Sequence, residues 1–373
     1  MKEKVLVTGG AGFIGSYLVD ELVKKSYQVI IYDNLDPQVH PQGKKPVYLN
    51  KEAKFVKGDI RDRKKLYEVV KDIDYIFHEA AVVGVGQSMY EVSKYVSVNT
   101  YGTSVLLDIL ANEKHKVRKL LVASSMSIYG EGAYECSHCG KTYPKLRSED
   151  QLKNYDWELN CCNCHQDLIP LPTSEEKPLQ ATSIYAITKK DQEEMCLNIG
   201  WTYGIPTVAL RYFNVYGSRQ ALSNPYTGVA AIFSSRLLNK KSPIIFEDGL
   251  QGRDFIHVQD IVRANILALE DEKANFEVFN VGTGKKITIL EIAKILAQEL
   301  KLNIEPEVTS RYRKGDIRYC FADIAKIKER LNFKPQISFE EGTGELISWV
   351  KDQTAQDLVE KAKKELEDKG LVK

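Results

Sequence analysis

The chain has 373 residues, enough to bury one large core or two moderate ones. Its 43% hydrophobic and 28% charged content is that of an ordinary globular protein, and no apolar run approaches the length a membrane-spanning helix needs. With 52 basic against 51 acidic residues the net charge is +1, which argues against nucleic acid or an acidic membrane surface as a partner.

The N-terminus runs directly into a strand without the apolar core of a signal peptide, so a cytoplasmic location is expected. Lys4–Thr8 has the length and β-branched content of a buried strand. Phe13–Lys25 has helical periodicity, and Gln28–Tyr32 is again a strand. The strand pattern recurs at Lys54–Val56, Tyr75–Phe77 and Lys119–Ala123, with helical stretches at Arg61–Lys71 and Met89–Lys114 between. Alternation of this kind predicts an α/β fold, a doubly wound parallel sheet of the Rossmann type with helices on both faces. Residues 131–172 break the rhythm with polar, Cys-, Tyr- and Asn-rich sequence. The pattern resumes with a helix over Thr182–Tyr203 and a strand over Pro206–Arg211. Further helices are expected at Gly228–Asn239, Val258–Glu270, Ile289–Leu300 and Ile324–Leu331, and a last amphipathic one over much of Glu340–Lys369.

The first strand is followed at once by Gly9, Gly12 and Gly15 opening a helix. A glycine at the turn, one at the pyrophosphate and one at the helix–sheet contact, with Phe13 and Ile14 presenting N–H groups at the helix start, is a dinucleotide fingerprint in its required context. Asp33 closes the second strand, 24 residues after Gly9, where a carboxylate accepts from a ribose diol and repels a 2′-phosphate. Asn34 follows it and no arginine does, so NAD is expected rather than NADP. Asp59 and Ile60, ending the third strand, are placed at the adenine; a plain turn is the alternative there.

Tyr185 and Lys189 lie four residues apart on one predicted helix and so face the same way. A phenol near pKa 10 is a poor base at neutral pH, and a neighbouring ammonium would pull it down. Ser125, after the fifth strand, can hydrogen-bond a reacting hydroxyl or carbonyl. Tyr-x-x-x-Lys alone arises by chance on amphipathic helices, but here it joins the glycines, Asp33 and Ser125 in order.

With these residues in place the chain resembles an extended short-chain dehydrogenase/reductase acting on nucleotide sugars. The likeness rests on His78-Glu79-Ala80-Ala81, Val98-Asn99-Thr100-Tyr101-Gly102-Thr103, Ser124–Gly130, Arg211–Gly217, Arg253–Val258 and Asn280–Gly284. The resemblance implies that Ser125, Tyr185 and Lys189 are a catalytic trio and that Ala80, Ala81, Asn99 and Phe213 meet the cofactor. It implies further that Ser127, Asn214, Arg253 and Arg313 bind substrate, the arginines at its diphosphate, with surface ion pairs as their alternative role. It also implies a Rossmann domain over residues 1–215, to which 256–285 returns, and a smaller α+β nucleotide-sugar domain over 216–373. A homodimer is implied as well, paired through Met89–Lys114 and Thr182–Tyr203.

Dehydratases of this group carry an acidic pair directly after the catalytic hydroxyl residue, whereas Met126 and Ser127 stand here. Oxidation at C6 needs a thiol in the site, and Cys196 reads as core. That leaves 4-epimerisation. The narrower likeness, on Asp33–His40, Gly84–Tyr90, Ser124–Gly132 and Ala221–Gly228, is to the dTDP-L-rhamnose 4-epimerases. UDP-galactose 4-epimerases have a lysine where Val83 stands. UDP-glucose or UDP-glucuronate epimerisation and a non-catalytic NAD sensor are the alternatives.

Five of the seven cysteines fall in the interrupting stretch. Cys136 and Cys139 form one pair and Cys161 and Cys164 another, each with two residues between and 21 residues from pair to pair. In a cytoplasmic protein this points to a zinc-ribbon-like structural site, with Cys162, His138 and His165 as possible substitute ligands and free thiols or a redox disulfide as the alternative. The insert lies between Ser125 and Tyr185, so it is expected near the sugar as a lid or subunit contact.

Overall fold

The computed structural model describes residues 2–353 and 357–373. Its centre is a sheet of seven parallel strands that include β1 (Lys4–Thr8), β2 (Gln28–Asp33), β3 (Lys54–Lys57), β4 (Tyr75–His78) and β5 (Lys119–Ser125). Thr207–Tyr212 pairs with β5 and Val278–Val281 closes that edge, giving the order Val278–Val281, Thr207–Tyr212, β5, β4, β1, β2, β3. The strands inside the sheet are largely buried on both faces, which is why they read as continuous apolar runs, whereas β3 at the edge keeps Lys54 and Lys57 exposed. Val5, Val7, Ile31 and Phe77 face α1 (Phe13–Lys24) and the helix Val258–Glu270. Leu6, Ile76, Leu120 and Val122 face α2 (Arg63–Val70) and the helices Gly102–Asn112 and Ile184–Tyr203. Each such side chain fully buried contributes about 1.5–3 kcal/mol.

Strand order reverses between β1 and β4, which opens a crevice at the carboxyl ends of the strands. The turn after β1 depends on Gly9 at φ +68°, and a Cβ on Gly15 would lie 2.4 Å from the Gly9 carbonyl oxygen. The helix can therefore begin tight against the strand.

Three expected elements differ in outline. The helix expected from Arg61 begins at Arg63, because Asp62 caps it by accepting from the Lys65 N–H. Met89–Lys114 is a short helix at Val92–Tyr95, a wide π turn over Val96–Tyr101 and the helix Gly102–Asn112. The widened turn buries Asn99, whose amide bonds Val82 and Thr188. The expected last helix is two, Phe339–Lys351 and Val359–Asp368; residues 354–356 of that expectation lie outside the described residues.

A separate core gathers Tyr216, Phe233, Leu237, Ile292, Leu296, Phe339 and Leu346 from the C-terminal half. The interrupting stretch folds as a three-stranded antiparallel sheet, Ala133–Cys136 between Gly140–Thr142 and Leu168–Leu171, with a helix at Glu149–Lys153. Its small core of Tyr134, Cys136, Leu159, Cys161 and Leu168 closes on Tyr319 of the main body. Among the described residues no helix is long and apolar enough to cross a membrane.

Candidate active site

One cavity of about 880 Å³ runs from the glycine turn, past the end of β5, to the C-terminal half. Gly9, Gly12, Phe13, Ile14 and Gly15 line its first part with Asp33, Asn34 and Ile60. Gly12 is the N-cap of α1 and has no side chain to satisfy the first turn, so the helix offers bare N–H groups at its positive end. Asp33 is buried, and its carboxylate accepts from the N–H groups of Ala11 (3.0 Å) and Leu35 (2.8 Å). Those bonds fix the carboxylate while leaving lone pairs for a diol. An anion-ready helix start beside a fixed acceptor fits NAD, with the pyrophosphate at α1 and the adenosine ribose at Asp33.

Two residues expected at the cofactor do not line the cavity. Asp59 turns its carboxylate to Arg61, whose Nε and Nη2 donate at 2.8 and 2.7 Å, and Arg61 holds it well below the ordinary range, at about 2. Asn99 acts instead through Val82, which lines the wall. Arg61 itself faces the cavity and was not anticipated. Its guanidinium is spent on Asp59 and the Ser97 hydroxyl, which keeps it from serving as a phosphate ligand beside Asp33.

Ser125, Tyr185 and Lys189 converge in the middle of the cavity, with Ala80, Ala81, Ser127 and Phe213 also on its wall. Ser183 caps the helix that carries Tyr185 by accepting from the Ala186 N–H (3.1 Å). The Ser127 hydroxyl donates to Ser125 (2.9 Å). The expected effect of Lys189 on the phenol is corrected by the geometry. The lysine nitrogen donates to the Ala123 carbonyl and to Gln192 (2.9 Å), and burial raises the Tyr185 phenol, with only the Ser125 hydrogen bond working downward. Burial also lowers Lys189 to about 8, against the opposing pull of Glu79. Glu79, pushed up to about 7 by burial, accepts from Tyr212 (2.9 Å) and lines the same cavity. Nothing in its spacing signalled this. Cys196 is fully buried in the core, its thiol pushed up to about 12.

At the far end stand Asn214, Arg253 and Arg313. The Asn214 Oδ1 is buried without a hydrogen-bond partner, which marks a place for a ligand donor. Arg253 donates to the carbonyls of Gly252 (2.9 Å), Arg318 (3.0 Å) and Ile317 (2.7 Å). Arg313 does form the ion pair weighed as its alternative, with Asp316 (2.7 Å), and its guanidinium lies 4.9 Å from the Phe246 ring centroid while facing the cavity.

Residues 5–151 match the NAD dependent epimerase/dehydratase family, and residues 167–346 match the family GDP-mannose 4,6 dehydratase. The dTDP-L-rhamnose 4-epimerase of Burkholderia thailandensis is 35% identical over 350 residues, 93% of this chain and 95% of that one. The chain belongs to the NAD-dependent epimerase/dehydratase family. Within it, the crystal structure of UDP-glucose 4-epimerase with UDP-glucose from Thermotoga maritima aligns at a TM-score of 0.74 and 32% identity, over 93% of this chain and 98% of that one. UDP-glucuronic acid 4-epimerase from Bacillus cereus, in complex with UDP-glucuronic acid and NAD, aligns at 0.72 and 29%, over 93% and 99%.

The insert brings the sulfur atoms of Cys136, Cys139, Cys161 and Cys164 within 4.8 Å of one another. Cys162 instead turns its thiol to Asn163 (3.6 Å), and His138 and His165 lie outside the group. Four thiols converging from two Cys-x-x-Cys turns fit a tetrahedral zinc, with sulfur as every donor and no position left open.

Proposed function

We propose that the protein is an NAD-dependent nucleotide-sugar 4-epimerase. The observation that carries this is the placing of Ser125, Tyr185 and Lys189 in one cavity, between a dinucleotide-ready helix start and the Asn214, Arg253 and Arg313 group. NAD, held by the start of α1 and Asp33, would supply reversible hydride acceptance at C4 of the sugar. Tyr185, as the phenolate that the Ser125 hydrogen bond and a bound nicotinamide's positive charge would favour against burial, accepts the proton of the 4-hydroxyl and gives it back, while Ser125 orients that oxygen. Lys189, held by Ala123 and Gln192, keeps a positive charge beside the phenol's end of the helix. Asn214, Arg253 and Arg313 hold the diphosphate, so the sugar can turn over between the two transfers. Met126 and Ser127 cannot protonate a leaving hydroxyl, and Cys196 is out of reach, which favours epimerisation over dehydration or oxidation at C6. A non-catalytic NAD sensor would have no use for the trio.

The substrate we favour is dTDP-L-rhamnose, giving dTDP-6-deoxy-L-talose. Supporting it are the Burkholderia relative and an apolar stretch of wall, Val82, Val83, Val85 and Met89, suited to a C6 methyl group. UDP-glucose or UDP-glucuronate is the second reading, supported by the Thermotoga and Bacillus enzymes and by Lys94 on the cavity wall, a counter-charge for a carboxylate. Cys136, Cys139, Cys161 and Cys164 hold a structural zinc. The chain pairs as a homodimer through exposed Val92, Val96, Tyr101 and Ile187, apolar groups on the two segments expected to meet.

Incubation with dTDP-L-rhamnose, UDP-glucose and UDP-glucuronate separately, with NMR of each product, tests the reading. Inversion at C4 of the rhamnosyl nucleotide is expected; inversion only of a UDP sugar would select the second reading, and none with any would end both.

A further inference from the structure

The insert is fastened to the C-terminal half by a buried charge network. Arg147, on the insert, donates to both oxygens of Glu247 (2.8 and 2.9 Å), and the side chains of the pair are each 1% exposed. The same two nitrogens reach the carbonyls of Trp157 (3.1 Å) and Asp316 (3.2 Å). Arg318, its side chain fully buried, donates to Glu247 (3.2 Å), to Asp248 (2.6 and 2.8 Å) and to Glu158 of the insert (3.0 Å). Its backbone N–H donates to Glu131 at the root of the insert (2.7 Å).

The network ends where Arg253 and Arg313 begin. Arg253 rests its guanidinium on the carbonyls of Ile317 and Arg318, and Arg313 donates to the Asp316 carboxylate. Residues 316–318 are therefore the seat of both arginines, through two carbonyls for Arg253 and the Asp316 carboxylate for Arg313, and the insert clamps their backbone through Arg147 and Glu131. Two buried arginines sharing one buried glutamate are an expensive way to gain stability, since apolar side chains of similar volume would do as well. They are a good way to fix a backbone segment, because a guanidinium fork sets direction as well as distance.

We propose that Arg147, with Glu247 and Arg318, is a positioning residue for the nucleotide diphosphate, so that the insert sets substrate affinity by holding the seat of Arg253 and Arg313. This rests on the reading of those two arginines as diphosphate ligands.

The test uses the NAD-loaded full chain, with UDP and dTDP titrated by calorimetry and steady-state rates on whichever sugar nucleotide turns over. Arg147→Lys keeps the charge without the fork. The double variant R147M/E247M removes the buried pair together, so that no lone charge is left to unfold the protein. Arg253→Met is the control. In R147M/E247M the Kd for both nucleotides and the KM should rise roughly ten-fold, the scale of a lost charged hydrogen bond, with kcat within about two-fold and NAD content unchanged. Arg147→Lys should fall between this and the unaltered protein. If Arg253→Met weakens nucleotide binding while folded Arg147→Lys and R147M/E247M bind as the unaltered protein does, the positioning role is overturned. If Arg253→Met itself has no effect, the diphosphate reading is the part that fails.

Discussion

Tyr185→Phe removes one oxygen atom and little else. The ring is buried edge-on to Tyr95, with centroids 6.4 Å apart and planes at 83°, and phenylalanine keeps that packing. The hydroxyl's hydrogen bond to Ser125 is lost, at a cost of about 0.5–1.5 kcal/mol of stability. Burial already penalises the polar phenol, so the net change belongs at the low end of that range. The effect on rate is of another size. A positioned proton acceptor is worth about 10²–10⁴ in rate, which is about 2.7–5.4 kcal/mol of barrier. The assay is NMR of C4 inversion, run beside NAD released on denaturation and the unfolding midpoint. The expected result is a kcat lower by two to four orders of magnitude with NAD content and midpoint nearly unmoved. A kcat within three-fold of the unaltered protein would refute the base assignment, and loss of NAD would mean that the hydroxyl serves the cofactor instead.

Lys189, lowered to about 8, carries its charge below that pH and loses it above, so the rate should decline as pH rises through about 8. Glu79 is the largest influence holding it up, so Glu79→Gln should carry the alkaline limb of the pH–rate profile to lower pH; a limb that stays put would show that the two groups do not communicate. Metal analysis should find about one zinc per chain, and Cys161→Ser should release it; freely titratable thiols at all four positions in metal-free, folded protein would refute the site. Glu193 accepts from the Arg211 Nε (3.0 Å) and Nη2 (2.5 Å) and from Ser124 (2.6 Å), with both partners of the ion pair buried. Glu193→Ala strands Arg211 and should cost about 3–5 kcal/mol in urea unfolding, and Glu193→Gln less; equal small losses would mean the pair is not buried as drawn.

The sheet was legible because its strands are short, β-branched and apolar on both faces, and because Gly9, Gly12 and Gly15 sit between a strand and a helix. Spacing also carried the four cysteines, since two Cys-x-x-Cys turns can meet in only a few ways. Contacts between distant parts of the chain were not legible. Arg147 meets Glu247 across 100 residues, and nothing near either one marks it. The break at Val96–Tyr101 was hidden because a π turn keeps helical composition while adding a residue to the turn. The periodicity of Tyr185 and Lys189 put them on one face, but it could not show that the lysine nitrogen turns to Ala123 and Gln192. That choice depends on buried acceptors from β5 and from the next turn of the helix.

The placing of the insert follows from the same economy of contacts. Residues 131–172 enter the chain between Ser125 and Tyr185, on whose relative position the proposed proton transfer depends. The chain is pinched shut just outside them. Gln180 donates its N–H to the Ile128 carbonyl (3.0 Å), Lys177 donates to the Tyr129 carbonyl (2.9 Å), and the Thr173 hydroxyl accepts from the Ala133 N–H (3.1 Å). Gly130, at φ +68°, makes the close approach possible, since a Cβ there would lie 2.5 Å from the Gln180 carbonyl oxygen. What happens beyond the pinch cannot easily reach Ser125 or Tyr185, but it reaches Arg253 and Arg313 through Arg147 and Glu131. Stripping the zinc proposed for Cys136, Cys139, Cys161 and Cys164 should then raise KM well before it lowers kcat. A fall in kcat at constant KM would show that the pinch transmits what it is placed to contain.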